Sequence, residues 1–267
     1  MPTDPRSPRL AVMIDADNIP ARHIEAVLDE IAGLGEPSVR RVYGDWSSSN
    51  LAKWKEKARS LGLVMHQQSA NTTGKNSSDI GLVIDAMDIL HAGKVDGFVL
   101  VSSDSDFTRL ASRIREDGLQ VIGVGEKKTP EPFVAACDKF IYTELLRMEP
   151  ESGATVATET AEPVVVPEPA AKLPQLDAVT LIARAIEEVD DEDGWANLAP
   201  VGAYVSKLRP DFDARLFGHS KLSSLVRSLA KHFETKEVLT PGTGTKVLFV
   251  RRVTKAKPGA AAKSGTP

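Results

Sequence analysis

Gly97-Phe98-Val99-Leu100-Val101-Ser102-Ser103-Asp104-Ser105-Asp106 opens as an unbroken apolar run and ends abruptly in three serines and two aspartates. A short apolar run without polar alternation reads as a strand buried on both faces, which belongs in a parallel sheet covered by helices on either side. Its polar end reads as the turn into the next helix, where Asp and Ser are favoured caps. Near the N-terminus the pattern recurs: Ala11-Val12-Met13-Ile14 leads into Asp15-Ala16-Asp17-Asn18. Carboxylates crowded at the ends of neighbouring strands are costly unless a cation or a proton lies between them.

Outward from these two segments, short apolar runs alternate with helix-period stretches through residues 9–146. The pattern predicts strands at about 9–15, 37–43, 62–66, 97–102, 119–124 and 138–142. Helices are expected between them at about 19–33, 50–60, 77–92, 106–117 and 130–136. Strand–helix alternation of this kind specifies an α/β fold with a doubly wound, Rossmann-like parallel sheet. The first domain is expected over 9–147. Residues 148–175 form a Pro-, Ala- and Glu-rich linker, suited to an extended spacer. Residues 176–253 form a smaller C-terminal domain, and 254–267 a flexible basic tail.

In the C-terminal domain, Val179, Ile182, Ile186 and Val189 mark one helix, and Val201, Tyr204, Val205 and Leu208 a second. Leu222, Leu225, Val226, Leu229 and Phe233 mark a third. Val238-Leu239, a Pro241-Gly242-Thr243-Gly244 turn and Val247-Leu248-Phe249-Val250 read as a hairpin. Three helices followed by a hairpin is the order of a winged helix-turn-helix.

The 267 residues carry 42% hydrophobic and 26% charged residues, with a net charge of −4, ordinary values that give no electrostatic footprint of nucleic-acid binding. No apolar run is long enough to span a bilayer, so no membrane partner is expected. Met1-Pro2-Thr3-Asp4-Pro5 lacks the apolar core of a secretory signal. Cys137 is the only cysteine, which excludes an internal disulfide and a cysteine-based zinc site. The cytoplasm is therefore the expected compartment.

In a doubly wound sheet, ligands sit beyond the carboxyl ends of the strands where the winding reverses. With strand order 3-2-1-4-5, Asp15 and Asp104 would face each other across that crevice, with Asp106 just beyond. The helix at 77–92 has an expected inward stripe of Ile80, Val83, Ile84, Met87 and Leu90, with Asp79 on its edge; Asp85 and Asp88 are expected to be solvated. Carboxylates gathered in one crevice suit Mg²⁺ or Mn²⁺, which prefer hard oxygen ligands. Asn18, Ser102 and Ser103 could orient ligands or water. For any one of these acids, helix capping is an equal explanation. Capping does not explain pairs at both junctions together with Asp79.

Competing motifs fit worse. Thr72-Thr73-Gly74-Lys75-Asn76-Ser77 lacks the earlier glycine of a phosphate loop and the Ser or Thr directly after its lysine, and Gly123-Val124-Gly125 lacks the third glycine of a dinucleotide fingerprint. Asp15-Ala16-Asp17-Asn18 is similar to the Asp-x-Asp opening of aspartyl-nucleophile phosphatases, but Asn18-Ile19 departs from that pattern. Cys137 is expected to pack in the core.

Several segments together carry a family resemblance: Ile14-Asp15-Ala16-Asp17-Asn18, Tyr43-Gly44-Asp45-Trp46, Thr73-Gly74-Lys75-Asn76-Ser77-Ser78-Asp79, Val83-Ile84-Asp85-Ala86-Met87 and Leu100-Val101-Ser102-Ser103-Asp104-Ser105-Asp106-Phe107. Residues 10–146 resemble the NYN domain, a branch of the PIN-like ribonuclease superfamily. The resemblance implies a metal-dependent nuclease fold with Asp15, Asp79, Asp104 and Asp106 at the acidic site; Ser103 stands where the family often has Gly. Phe217-Gly218-His219-Ser220-Lys221-Leu222-Ser223-Ser224-Leu225, leading to Phe233 and the hairpin, resembles the OST-HTH/LOTUS winged helix found in RNA-binding proteins.

The expectation that follows is a Mg²⁺- or Mn²⁺-dependent ribonuclease, a hydrolase of RNA phosphodiester bonds. Asp15, Asp79, Asp104 and Asp106 would be its metal-binding catalytic residues, with Asn18 beside them. Lys75 and Arg109 at the crevice rim, and Lys221, Arg227 and Lys231 on the third C-terminal helix, are candidate RNA contacts. Lys53 and Lys57 are expected on a solvated face. The alternative is a non-catalytic RNA-binding adaptor built on a nuclease fold. RNA is the expected partner, and a homo-oligomer or a protein partner stays open.

Overall fold

Six strands, β1 (Arg9–Asp15), β2 (Glu36–Gly44), β3 (Val64–Gln67), β4 (Gly97–Val101), β5 (Gln120–Gly125) and β6 (Lys139–Tyr142), form one sheet in the order β3-β2-β1-β4-β5-β6. Every pairing is parallel. The computed structural model describes residues 7–67, 77–146, 175–191, 193–239 and 246–253. Five helices cross between successive strands: α1 (Ile24–Ala32), α2 (Ala52–Ser60), α3 (Ser77–Ala92), α4 (Thr108–Glu116) and α5 (Glu131–Ala136). Short 3-10 turns at Ala21–His23, Ser49–Leu51 and Ser105–Phe107 lead into α1, α2 and α4.

Alternation along the strands sorts the core into two layers. Leu10, Val12, Ile14, Val99 and Val101 face α1 and α2, packing with Ile24, Val27, Ile31, Trp54 and Ala58. Ala11, Met13, Phe98 and Leu100 face the other way, onto Leu82, Ala86, Leu110, Ile114 and Phe133 of α3, α4 and α5. Residues buried in opposite layers at successive positions are why β1 and β4 read as uninterrupted apolar runs. The chain winds from β1 out to β3, returns through α3 to β4, and continues to β6, so the winding reverses between β1 and β4.

The buried stripe of α3 differs from expectation. Leu82, Ala86, Ile89 and Leu90 are buried, whereas Ile80 and Ile84 are 61% and 57% exposed. The helix is apolar on several sides, so sequence spacing did not fix which side faces the sheet. Asp79 precedes Leu82 and Val83 by one turn and still lies beside the buried stripe.

Gly123, in the middle of β5, is a packing glycine. A Cβ there would lie 2.7 Å from Phe140 Cε2 and 2.8 Å from Cys137 Sγ. Phe140 cannot easily retreat, because its ring sits edge-on against Phe133 at 5.9 Å. Gly123→Ala is therefore expected to cost about 2 kcal/mol, the range for overpacking a tight core, read as a lower urea midpoint at unchanged slope. Cys137 packs in the same layer, and burial pushes its thiol up to about 12. It is a core residue, as expected.

The C-terminal unit is described by itself. Helices α6 (Gln175–Val189), α7 (Leu198–Leu208) and α8 (Leu222–Ser228) accompany β7 (Ala196–Asn197), β8 (Phe233–Leu239) and β9 (Lys246–Arg252). The strands form an antiparallel sheet in the order β7-β9-β8. Its core holds Ala178, Ile182, Ile186, Val201, Val205, Leu225, Val226, Phe233 and Val250. Helix α8 is shorter than expected: Leu229 caps it, and Phe233 starts β8. The two-residue strand β7 has no sequence period to reveal it. The expected linker core, the Pro241–Gly244 turn and the basic tail lie outside the described residues.

Candidate metal centre

The winding reversal puts the ends of β1 and β4 side by side: Ile14 pairs with Val101, and Asp15 and Ser102 follow. Asp15 is 1% exposed. Its Oδ2 accepts hydrogen bonds from Asn18 Nδ2 at 2.6 Å and Ser102 Oγ at 2.8 Å, and its Oδ1 accepts the Asp17 amide at 3.2 Å. Burial raises the Asp15 pKa despite these donors, with the Asp17 charge adding to the rise. Ser102 Oγ also accepts the Asp104 amide at 3.1 Å, linking the two strand ends. Ser103 Oγ accepts the Glu126 amide at 2.9 Å and fixes the turn after β4 to the turn after β5.

Asp104 caps the 3-10 turn Ser105–Phe107, its Oδ1 accepting the Asp106 amide at 2.9 Å. Asp79, at the start of α3, reaches the same point from the helix that crosses from β3 to β4. One carboxylate oxygen from each of Asp79, Asp104 and Asp106 can be chosen so that all lie within 4.8 Å of one another. Asp15 is outside this trio, yet its charge is the strongest of those acting on Asp79. Burial, then the charges of Asp15, Asp104, Asp106 and Asp17, push the Asp79 pKa up to about 6.

Three hard oxygen donors at this spacing, with only negative charges dominating the field at Asp79, fit a divalent cation of the Mg²⁺ or Mn²⁺ type. Asp79, Asp104 and Asp106 would hold it. In its absence the same charges destabilise the fold. Because the folded-state pKa of Asp79 lies above the ordinary 3.8, the folded chain binds the proton more tightly, and stability falls as pH rises from about 4 to about 6. Asp79→Asn removes that loss. In EDTA at pH 7.5 it is expected to stabilise the chain by about 1 kcal/mol, after allowing for solvent screening of a half-buried group. At pH 4 the gain should vanish; urea titrations at the two pH values check this, and a variant less stable than the parent at pH 7.5 sinks the argument.

The remaining candidates lie on separate elements of the two units. Arg109 is exposed on α4, three residues beyond Asp106. Lys75 lies outside the described residues. Lys221 is exposed at the start of α8, and Lys231 is exposed in the turn beyond its end. Arg227 is ion-paired with Glu237 at 2.6 Å.

Two features were not anticipated. Asp85 is not solvated: its oxygens take the Arg41 guanidinium and the Tyr43 hydroxyl, and His66 Nδ1 lies 3.6 Å away. Burial would raise the Asp85 carboxyl, but the bonds and charge of Arg41 and the Tyr43 hydroxyl outweigh it and hold the pKa below the ordinary carboxylate value. Lys53 and Lys57 are also more than a solvated face. They line a cleft of about 720 Å³ with Asp17, Asn18, Arg22, Asn50, Trp54 and Lys128, contiguous with the turn after β1.

A doubly wound sheet with an acidic trio at its reversal is the architecture of the PIN-like α/β domains. The NYN domain model matches residues 9–146, just over half of the chain, and the chain belongs to the NYN domain family. The OST-HTH/LOTUS domain model matches residues 174–243. Two solved structures are similar in part. One is a crystal structure of a protein of unknown function from Vibrio parahaemolyticus RIMD 2210633, at 20% identity and TM-score 0.44, covering 52% of this chain and 94% of that one. The other is a solution NMR structure of an uncharacterized protein from Nitrosomonas europaea, at 36% identity and TM-score 0.29, covering 38% of this chain and 99% of that one. The search of curated proteins gave no match. No helix among the described residues is long and apolar enough to cross a membrane.

Proposed function

We propose that the chain is a divalent-metal-dependent ribonuclease whose N-terminal unit hydrolyses RNA phosphodiester bonds and whose C-terminal unit binds RNA. The observation that carries this reading is the convergence of Asp79, Asp104 and Asp106 on one point at the winding reversal. A bound Mg²⁺ or Mn²⁺ would supply Lewis-acid stabilisation of charge developing on the phosphodiester.

The chain's own residues have separable tasks. Asp79, Asp104 and Asp106 supply the oxygen donors. Asp15, fixed by Asn18 and Ser102, adds negative charge beneath them and strengthens cation binding. The hydrogen bonds of Ser102 and Ser103 hold the turns at the strand ends in place. Arg109, and Lys53 in the cleft beyond Asn18, would guide the RNA backbone by charge.

RNA incubated with the chain and Mn²⁺ or Mg²⁺ should be cleaved, EDTA should stop cleavage, and Asp104→Asn should match the EDTA lane. Equal products from the parent and Asp104→Asn remove the proposal. The cleft adds a kinetic expectation. Lys53 is exposed there, with no ion-pair partner among the described residues. Lys53→Glu should raise KM for RNA about three- to tenfold at low salt with little change in kcat, the mark of uniform binding, and the difference should shrink in high salt. An unchanged KM would exclude the cleft from the RNA path.

A further inference from the structure

The sheet of the C-terminal unit has one buried side and one open side. Val250 is fully buried and pairs with Thr235, so Phe249 and Arg251 of β9, with Glu234 and Lys236 of β8, project from the opposite face. Trp195, immediately before β7, joins that face opposite Arg251. Its backbone is held by a closed turn. Asp191 accepts the Trp195 amide at 2.7 Å and the Asp193 amide at 3.1 Å, the Trp195 carbonyl accepts the Asp191 amide at 2.9 Å, and Gly194 supplies the left-handed residue at φ +73°.

Two cations sit over these rings. Lys236 Nζ is 4.1 Å from the Trp195 ring centre and 5.6 Å from that of Phe249, and Arg251 Cζ is 4.6 Å from the Trp195 ring. Arg251 is also ion-paired with Glu234 at 2.6 Å. Lys236 has no carboxylate partner among the described residues. Trp195 and Phe249 are both partly exposed. The face therefore presents two partly exposed aromatic rings, two cations over the Trp195 ring and, at Lys236, a positive charge with no carboxylate paired to it among the described residues.

We infer that this open face, Trp195 and Phe249 with Lys236 and Arg251, is a stacking platform for single-stranded RNA. This rests on the reading of the C-terminal unit as an RNA-binding module, and it moves the contact from α8 to the sheet. Unpaired bases have exposed faces that stack on aromatic side chains, and each nucleotide brings a phosphate to the cations beside the rings. The flexible Lys236 stem can swing off the Trp195 ring as a base enters, carrying its charge to the backbone. Duplex RNA hides its base faces and fits this surface poorly. Helix α8 offers less: Arg227 is neutralised by Glu237, and the Ser228 hydroxyl is occupied by the Leu225 carbonyl at 2.7 Å.

The test uses the full chain in EDTA, where cleavage does not interfere, with a fluorescein-labelled 12-nucleotide single-stranded RNA and its duplex, read by anisotropy and tryptophan emission. Trp195→Ala and Lys236→Glu should each weaken single-strand binding about tenfold, and Lys236→Glu should also lower the salt slope. Trp195→Phe should stay within about threefold of the parent yet lose most of the emission quenching seen on binding. A loss in Lys221→Glu larger than that in Lys236→Glu would put the contact on α8 and overturn the inference. Unchanged affinity in both Trp195→Ala and Lys236→Glu overturns the inference, as does equal preference for the duplex or a parent that binds only an acidic peptide. If Trp195→Ala does not fold, Lys236→Glu and the parent's quenching decide: no quenching on bound parent overturns it. Cleavage by the parent is measured separately, so a chain that cuts RNA without using this face refutes the platform alone.

Discussion

Asp104→Asn is expected to lower metal-stimulated RNA cleavage about a thousandfold or more while leaving the fold intact. Asn retains a side-chain oxygen to accept the Asp106 amide, so the cap of the Ser105–Phe107 turn survives at a cost of a few tenths of a kcal/mol. What disappears is one of three anionic donors at a centre that Asp79, Asp104 and Asp106 build together. Losing about 4 kcal/mol of stabilisation at the transition state corresponds to roughly a thousandfold in rate. Single-turnover cleavage in Mn²⁺, beside a melting curve for each protein, separates lost chemistry from lost structure. The melting curves carry a second signature. Mn²⁺ should raise the parent's Tm by preferential binding to the folded state, and the variant should show a much smaller rise. A variant that keeps both parental cleavage and parental Mn²⁺ stabilisation would show that the acidic trio is structural.

Asp85→Ala is expected to destabilise the chain by about 2–3 kcal/mol, the largest stability effect of any surface-proximal acid in the N-terminal unit. Removing this carboxylate strands the Arg41 guanidinium and the Tyr43 hydroxyl, on a tyrosine only 1% exposed. Breaking a buried pair costs 3–5 kcal/mol in general, and the 29% and 20% exposure of the Arg41 and Asp85 side chains lowers that figure. Because the folded-state pKa of Asp85 is depressed, its contribution is present above the ordinary carboxylate pKa and fades as pH falls through the depressed value. Urea titrations of the parent, Asp85→Ala, Arg41→Ala and the double variant give the coupling directly; additive losses would show that the pair is not coupled. The same bond locks α3 onto β2, and α3 carries Asp79, so Asp85→Ala should also weaken cation binding.

Much of the N-terminal unit was legible because its signals are local. The strands at Arg9–Asp15 and Gly97–Val101 are buried on both faces, and such runs end where polar residues begin. Strand–helix alternation specified the parallel sheet but not its strand order; with the order β3-β2-β1-β4-β5-β6, Asp15 comes beside the Asp104 turn. Helix α3 was less legible, since Ile80, Leu82, Val83, Ile84, Met87 and Leu90 surround its axis. The decisive buried residue, Ala86, carries too small a side chain to weigh in a hydrophobic pattern. Asp85 was misread for another reason. Its partners, Arg41 and Tyr43, come from a strand more than forty residues earlier, and no spacing rule reaches across a crossover. In the C-terminal unit, Trp195 belongs to no periodic segment, and its role emerges only when β7 joins the sheet.

The Asp104 cap has a consequence for how a cation would arrive. With Oδ1 already engaged by the Asp106 amide, the carboxylate's direction is set by the backbone turn before any ion enters. That ligand is preorganised, so the turn that carries it should need little rearrangement when a cation binds. Amide hydrogen exchange at Asp106 should then be slow in apo protein and change little on loading.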